Sequence, residues 1–367
     1  MSEWKKVKLG DILDFYNGKA IKVTNGPIPV YGSNGIIGYT EKPLYHNAII
    51  IGRVGAYCGS VAICQNAFWA SDNTIIVKAK NGESNIFYYF LLKIMNLNLY
   101  AGGAAQPLIT QTTLKSLETA IPPINTQHHI ATILSRYDSL IENYQKQIKL
   151  LEEAAQRLYK EWFVDLHFPG HENTKIVDGV PEGWEKKPIS QLGEYLNGFA
   201  FKPSDWQDSG KPIIKIKEMG NGVSNDTPRN NGERVPVKYL VKAGDLLFSW
   251  SATLMVIVWS GEEGWLNQHL FKVTPAKGIG REFLLQSISN TIEVFQNLTT
   301  GSTMKHIQRN KLDQVFVNVP NDEIMKLYSS IAEKEREEIL HLSSQIRLLT
   351  EARDRLLPKL MSGEIAV

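Results

Sequence analysis

Two long stretches of the chain carry apolar residues in alternating steps of four and three residues. The pattern runs from Ile130 to Trp162 in the first stretch and from Tyr328 to Leu360 in the second. An average step of about 3.5 residues is the period of a coiled-coil seam. The pattern therefore predicts two long helices with these seam residues: Leu134, Ile141, Ile148, Leu151, Leu158, Ile339, Leu342, Ile346, Leu349 and Leu356.

Two charged residues, Glu335 and Arg353, interrupt the second seam. A polar residue in a seam can fix the partner and the alignment of a helix at a cost in stability. The alignment of the second helix with any partner is therefore left open by the sequence.

The rest of the chain has a different pattern, in which short apolar runs alternate with glycine-rich turns. The runs predict strands at 48–52, 60–64, 74–79, 212–217, 244–250, 253–259 and 269–275. Buried helices are predicted at 84–96 and 281–297. Both regions are therefore expected to be compact α+β domains.

The two α+β regions begin with the same motif. "WKKVKLGDILDFYNG" (4–18) aligns without a gap with "WEKKPISQLGEYLNG" (184–198), and Pro122 matches Pro320 at the entries of the two helices. A repeat of this length is a domain-scale duplication rather than a solenoid unit. The predicted parts are domain 1 (1–120), helix 1 (121–166), a linker (167–183), domain 2 (184–319) and helix 2 (320–367).

The composition is that of an ordinary globular protein and does not by itself indicate a function. The chain has 367 residues, of which 43% are hydrophobic and 21% charged, and its net charge is +2. A nucleic-acid partner would therefore need a local basic surface. Cys58 and Cys64 cannot form a disulfide framework or a four-ligand zinc site. With no secretory signal and no bilayer-length apolar run, a cytoplasmic protein without a membrane role is expected.

Catalytic signatures are absent from the sequence. The glycine-rich stretches 32–38 and 52–59 match neither GxGxxG nor a P-loop, and tight turns explain them. His128 and His129 have no carboxylate or cysteine at ligand spacing. There is no HExxH, GxSxG or carboxylate cluster. We therefore expect a non-catalytic chain with no metal and no cofactor of its own.

The loops of both domains combine aromatic, amide and basic side chains. Arg and Lys can contact phosphates or guanine edges, and Asn or Gln can read adenine. Exposed Lys and Arg are also ordinary surface residues, so solvated loops are the alternative interpretation. The DNA-binding candidates are Lys19, Lys22, Tyr31, Ser33, Asn34, Tyr39, Arg53, Tyr57, Gln106, Lys202, Lys215, Lys217, Arg229, Asn230, Asn231, Arg234, Trp250, Lys305, His306 and Arg309.

Several of these motifs, taken in order, resemble the specificity subunit of type I restriction–modification enzymes. They include "IIIGRVGAYCGSVAI" (49–63), "WLNQHLFKV" (265–273), "GSTMKHIQRNKL" (301–312) and "RLLPKLMSGEI" (355–365). The resemblance covers the whole chain. It implies two target recognition domains, an antiparallel coiled coil of the two helices, and a pseudo-twofold internal duplication.

The resemblance also implies a function in DNA targeting. Each domain would read one half of a bipartite asymmetric target in double-stranded DNA, and the coiled coil would set the gap. Two methyltransferase subunits per chain, and restriction subunits where the system has them, would be the partners. S-adenosylmethionine, adenine methylation and ATP-dependent cleavage would belong to those partners.

Two other functions are compatible with the residues alone. One is a bivalent adaptor that binds protein or glycan through two similar heads, and the other is an enzyme with its site in a glycine-rich loop. Salt would separate a DNA reader from an adaptor, because phosphate contacts make affinity fall steeply with salt. Turnover by the purified chain would indicate an enzyme.

Overall fold

The chain folds into two units, each containing one α+β head. The computed structural model describes residues 4–81, 83–103, 106–298 and 309–367. Unit 1 comprises residues 1–141 and 348–367, and unit 2 comprises residues 142–347. We call the α+β parts of these units head 1 and head 2. Both long helices contribute a segment to each unit.

Head 1 is built on one six-stranded sheet. Its elements are β1 (Lys5–Lys8), α1 (Leu9–Ile12), β2 (Leu13–Asn17), β3 (Ile28–Gly32), β4 (Gly35–Thr40), β5 (Tyr45–Gly52), β6 (Val61–Ala70), β7 (Thr74–Ala79), α2 (Asn85–Ile94), α3 (Gln111–Ser116) and β8 (Glu118–Ile121). The strand order is β2-β7-β5-β6-β3-β4, and β1 pairs separately with β8. The long helix α4 (Ile124–Tyr159) follows and continues into unit 2.

The central strand β5 is buried on both faces, which explains its uninterrupted apolar run. Ile49 and Ile51 belong to the cluster that contains Phe87 of α2. Ile50 points the other way and packs in a second cluster with Phe68. Alternate residues of a strand point to opposite faces, so a run without polar residues predicts burial on both sides.

Unit 2 holds a larger set of short elements. They are β9 (Ile176–Val177), β10 (Val180–Pro181), β11 (Glu185–Pro188), β12 (Gly193–Asn197), β13 (Lys211–Ile214), α5 (Ile216–Asn221), β14 (Arg229–Asn230), β15 (Leu240–Val241), β16 (Leu246–Ser249), β17 (Met255–Val258), β18 (Gly264–Leu266), β19 (Leu270–Pro275), α6 (Arg281–Asn290), α7 (Ile292–Leu298) and β20 (Phe316–Val319). The long helix α8 (Asp322–Ser362) ends in unit 1.

The strand connections of head 1 recur in head 2. The order β2-β7-β5-β6 corresponds to β12-β19-β16-β17, and β1 with β8 corresponds to β11 with β20. The parallel pair of β3 and β6 corresponds to that of β13 and β18. The long strand β6 is replaced in head 2 by two strands, β17 and β18, that lie in separate sheets. The predicted internal duplication and α+β class are confirmed.

Several predicted elements end at other residues in the structure. The strand predicted at 60–64 continues to Ala70 as β6, because its pairing with β5 extends to Phe68. The strand predicted at 212–217 ends at Ile214, because the Glu218 side chain accepts a hydrogen bond from the Lys215 backbone N–H and starts α5 there. The helix predicted at 281–297 is interrupted at Thr291, which separates α6 from α7. The Thr291 hydroxyl donates to the carbonyl of Ser287 and closes the last turn of α6.

The predicted linker, 167–183, includes residues that pack against unit 2. Phe168 is buried, and its ring lies 4.5 Å from that of Trp184. Asp178 and Gly179 have positive φ and join β9 to β10 in a two-residue hairpin. Turns of this kind favour Asp-Gly because both central residues need positive φ. The segment therefore belongs to the folded body of unit 2.

The two long helices run antiparallel. In unit 1, Arg353 of α8 donates to the Asp138 carboxylate of α4 over 2.5 Å. In unit 2, a later residue of α4, Glu152, lines the same cavity as an earlier residue of α8, Arg336. The seam residue Arg353 thus has an acidic partner on the facing helix, which specifies the alignment that the sequence left open.

Buried charges connect head 2 to α8. Arg336 donates from Nε and Nη2 to the Glu282 carboxylate of α6, at 2.7 and 3.1 Å. Glu333 accepts from the Arg281 side chain at 2.9 Å and from the Glu282 backbone N–H at 2.9 Å. Gly280 before α6 offers no side-chain cap. Glu333 therefore caps α6 from the neighbouring helix, where a negative charge favours the helix N-terminus.

The other seam break, Glu335, makes stability depend on pH. One of its oxygens is buried without a hydrogen bond among the described residues. Burial raises the pKa of the Glu335 carboxyl above 4.5, and repulsion from Glu282 adds to the rise, while Arg336 opposes it. The folded chain then binds more protons than the unfolded chain between the two pKa values. Stability consequently falls as pH rises through that window.

Replacing Glu335 with glutamine should therefore stabilise unit 2 at pH 7. The gain should shrink as pH falls toward 4, because Glu335 then becomes increasingly protonated in the unfolded chain as well as in the folded one. Thermal unfolding of Glu335→Gln and of the native chain across this pH range measures it. The exposed neighbour substitution Glu337→Gln is the control. A stability gain that stayed constant with pH would contradict the assignment.

Candidate nucleic-acid interface

Several loops of head 1 meet at one end of its sheet. We define the loop end of head 1 as residues 18–20, 33–34, 53–60, 71–73 and 106–109. The Ser33 hydroxyl donates to the Asn73 carbonyl at 2.7 Å, and the Arg53 N–H donates to the same carbonyl at 2.9 Å. The structure thus brings together six of the predicted residues, Lys19, Ser33, Asn34, Arg53, Tyr57 and Gln106.

Glycines make the 52–60 loop compact. A Cβ on Gly52 would lie 2.4 Å from the Ser60 hydroxyl and 2.5 Å from the Tyr57 carbonyl. Gly55 adopts a φ of +75°, and its N–H donates to the Pro107 carbonyl at 3.0 Å. The loop is therefore held by its own backbone and by the 106–109 segment, and it presents Tyr57 to solvent.

Arg53 is the charged residue most firmly placed at this end. Its N–H is bound by Asn73, and its carbonyl accepts from the Ile109 N–H at 2.9 Å and from the Cys58 thiol at 3.2 Å. Its side chain makes no ion pair within the described ranges, and the buried Nε has no hydrogen-bond partner there. The backbone of Arg53 is therefore fixed, while the Nε–H of its guanidinium has no hydrogen-bond acceptor among the described residues.

The other predicted residues of head 1 lie toward the edge strand β4. Lys22 and Tyr39 are exposed, and the Thr24 N–H donates to the Tyr39 carbonyl at 2.7 Å. Tyr31 is half-buried, with its ring edge-on to Phe68 at 5.6 Å. Burial raises the pKa of Tyr31 to about 12, so it stays a neutral phenol at neutral pH.

Head 2 has a corresponding loop end, formed by residues 198–199, 215–217, 250–254 and 267–269. The Asn267 N–H donates to the Ile214 carbonyl at 3.1 Å, and the Trp250 N–H donates to the His269 carbonyl at 3.4 Å. Lys215, Lys217 and Trp250 therefore lie at one end of head 2. The Lys215 ammonium sits over the Trp206 ring, 4.9 Å from its centroid.

The Asn-Gly pair of the repeated motif makes the same turn in both heads. Gly18 N–H donates to the Thr74 carbonyl and Gly198 N–H to the Leu270 carbonyl, each at 3.1 Å. A Cβ would lie 1.8 Å from the Ser71 carbonyl oxygen in head 1 and 2.1 Å from that of Asn267 in head 2. Only glycine permits this approach of two backbones.

Three predicted residues of head 2 are engaged within the head. Lys217 donates to Asp226 at 2.5 Å, which raises the pKa of Lys217 and lowers that of Asp226 to about 2. Arg229 binds Glu262 at 3.1 Å and the Gly210 carbonyl at 3.0 Å. Asn230 is buried, and its amide group donates to Asp205 and accepts from Gly232. Asn230 therefore holds this loop through both polar atoms of its side-chain amide.

Lys202, Asn231 and Arg234 line a cavity of about 550 Å³ on the side of head 2. Asp205 and Glu233 line it as well, so its charge is mixed. Arg309 is exposed and precedes β20 in the sequence. Lys305 and His306 lie outside the described residues.

Sequence reasoning missed Asn73 and His269, whose carbonyls anchor the two loop ends. A second alignment would have found them. "WASDNT" (69–74) matches "WLNQHL" (265–270), and it places Trp69 with Trp265 and Asn73 with His269. Both tryptophans pair with the parallel neighbouring strand, at Val30 and at Ile213.

Within the described ranges, no three His, Cys, Asp or Glu side chains are grouped so that they could hold a metal ion. No described helix combines the length and the apolar character needed to cross a membrane.

Two heads with the same strand connections and matching loop ends indicate an internally duplicated protein, and the sequence comparison identifies its family. Residues 1–153 and 181–345 match the family described as "Type I restriction modification DNA specificity domain", and the chain belongs to this family. It is 26% identical to the type I restriction enzyme MjaIX specificity subunit of Methanocaldococcus jannaschii, over 92% of this chain and 84% of that protein.

Two further comparisons cover essentially the whole chain. The type I restriction enzyme HindI specificity subunit of Haemophilus influenzae is 24% identical over 100% of both chains. The crystal structure of the type I restriction–modification system S subunit from M. genitalium superimposes with a TM-score of 0.61 at 17% identity. It covers 98% of this chain and 96% of that one, which supports the fold.

Proposed function

We propose that this chain binds a bipartite, asymmetric sequence in double-stranded DNA, with each head contacting one half. The observation that carries the proposal is the recurrence of one loop end in both heads with different side chains. Both heads keep the Asn-Gly turn and the carbonyls that anchor the loops. The residue after the turn differs, because it is Lys19 in head 1 and Phe199 in head 2. A shared scaffold with different side chains at matched positions suits two different half-sites.

The chain directs catalysis but supplies none of it in this proposal. Two methyltransferase subunits per chain carry S-adenosylmethionine and methylate adenine, and restriction subunits, where the system has them, cleave with ATP. The base to be methylated leaves the helix for the partner's pocket, because such chemistry needs the base out of the stack. The antiparallel helices keep the number of base pairs between the half-sites constant.

Methylation mapping tests this function directly. A host expressing the chain with its modification partner should gain methylated adenines in one bipartite sequence, and a host expressing the partner alone should not. Binding of the purified complex to that duplex should weaken steeply with salt, with log K falling linearly in log salt. No new methylation, together with salt-insensitive binding that ignores DNA sequence, would refute the proposal and favour a protein or glycan adaptor.

A further inference from the structure

Arg53 and Trp250 occupy the same position in the two heads. Each follows the last residue of a matched strand, Gly52 of β5 or Ser249 of β16. Gly52 pairs with Thr74, and Ser249 pairs with Leu270, in equivalent antiparallel ladders. The next residue is arginine in one head and tryptophan in the other.

Hydrogen bonds fix the equivalence independently of the alignment. The Arg53 N–H donates to the Asn73 carbonyl, and the Trp250 N–H donates to the matched carbonyl of His269. The turns that carry these carbonyls are also the same. Thr74 N–H donates to the Ser71 carbonyl, and Leu270 N–H donates to that of Asn267, each at 3.0 Å.

We propose that Arg53 and Trp250 are the matched specificity-determining residues of the two heads. This inference rests on the proposed DNA-reading function. Arg53 contacts the O6 and N7 acceptors of a guanine in one half-site, which is the commonest specific contact of an arginine. Trp250 has no comparable charge and makes apolar contact with a thymine methyl group in the other half-site.

The state of Arg53 in the free chain supports this role. Its backbone N–H and carbonyl are both hydrogen-bonded, so the position of the Arg53 backbone is fixed. A cation that makes no ion pair within the described ranges and is placed on a rigid loop binds a ligand with less loss of conformational entropy. Lys217 and Arg229 contrast with it, because acidic side chains of head 2 already engage them.

The surroundings of Trp250 fit a fixed apolar contact. Its ring lies 5.8 Å from that of His269 and 6.1 Å from that of Phe271. Both rings contact the indole, which remains half-buried. An indole supported in this way presents a rigid apolar surface at low entropic cost.

Binding selections with the purified complex and duplexes randomised in each half-site test the inference. Arg53→Ala should reduce the preference for one guanine roughly 10- to 100-fold and leave the other half-site unchanged. Arg53→Gln should change the preferred base at that position from guanine to adenine, since glutamine pairs with adenine N6 and N7. Trp250→Ala should relax one thymine position of the opposite half only. Lys93→Ala, on α2 of head 1, is the control and should change neither half.

The outcomes separate this inference from the proposed function. If the native complex selects no sequence, the proposed function itself fails. If it selects a bipartite sequence but Arg53→Ala weakens all duplexes equally, Arg53 contacts phosphate and the inference is overturned. Thermal unfolding of each variant, measured in parallel, shows whether it still folds. The base preferred by Arg53→Gln can be read from the selected duplexes even if its overall affinity is lower.

Discussion

Alanine at position 18 is expected to destabilise head 1 by roughly 3 kcal/mol or more, since a large loss requires a specific structural conflict and one is present here. The new Cβ would lie 1.8 Å from the oxygen and 2.6 Å from the carbon of the Ser71 carbonyl. Both are backbone atoms, and the Ser71 carbonyl is held by the Thr74 N–H at 3.0 Å. The turn cannot yield without breaking the ladder between β2 and β7.

Hydrogen exchange resolved by segment, together with thermal unfolding, measures this effect. Gly18→Ala should lose protection in head 1, and Gly198→Ala should do the same in head 2, where the Cβ would lie 2.1 Å from the Asn267 oxygen. Gly102→Ala is the matched control in head 1, because its nearest neighbouring atom is 4.0 Å away. Equal stability of Gly18→Ala and Gly102→Ala would show that the turn is not constrained in this way.

Removing Arg336 is expected to destabilise unit 2 by about 3–5 kcal/mol, because Glu282 would remain buried without its charge partner. The side chains of Arg336 and Glu282 are only 6% and 1% exposed. The pair also lies between α6 and α8, so its loss would loosen the attachment of head 2 to the long helix. Urea unfolding of Arg336→Ala measures the free energy of unfolding.

Two further variants separate the loss of the Arg336–Glu282 ion pair from the loss of the Arg336 side chain itself. The double substitution Glu282→Leu with Arg336→Met should recover most of the stability, since an apolar replacement removes both charges. Arg157→Ala breaks an exposed pair with Glu153 in the same unit, and it should cost less than about 1 kcal/mol. If Arg336→Ala and Arg157→Ala cost the same, the buried pair contributes no more than a surface pair.

The sequence predicted the elements whose pattern is long or whose burial is uniform. The heptad pattern located α4 and α8 because the seam persists over many turns, and the apolar run of β7 gave its bounds at 74 and 79. It failed where one side chain ends an element. Glu218 and Thr291 do so through local hydrogen bonds, which an apolar pattern does not record.

The candidate site shows the same division. Glycine-rich loops marked the loop ends, but the sequence could not show which cations are already paired. Arg229 forms an ion pair with Glu262, and Arg353 forms one with Asp138 on the facing helix. Both pairs join residues that are far apart in the sequence. The charge available to a ligand therefore depends on tertiary contacts. Arg53 differs from Lys217 in its surroundings rather than in its local sequence.

The discontinuity of unit 1 has a consequence for biosynthesis. Leu357, Leu360 and Met361 are buried in the same cluster as Leu9 and Leu134. The ribosome makes head 1 first and these three residues only after unit 2, which is a continuous segment, 142–347. The earlier head thus completes its core after the later one. A chain terminated before Leu357 would lose apolar cover on head 1 while keeping every residue of unit 2.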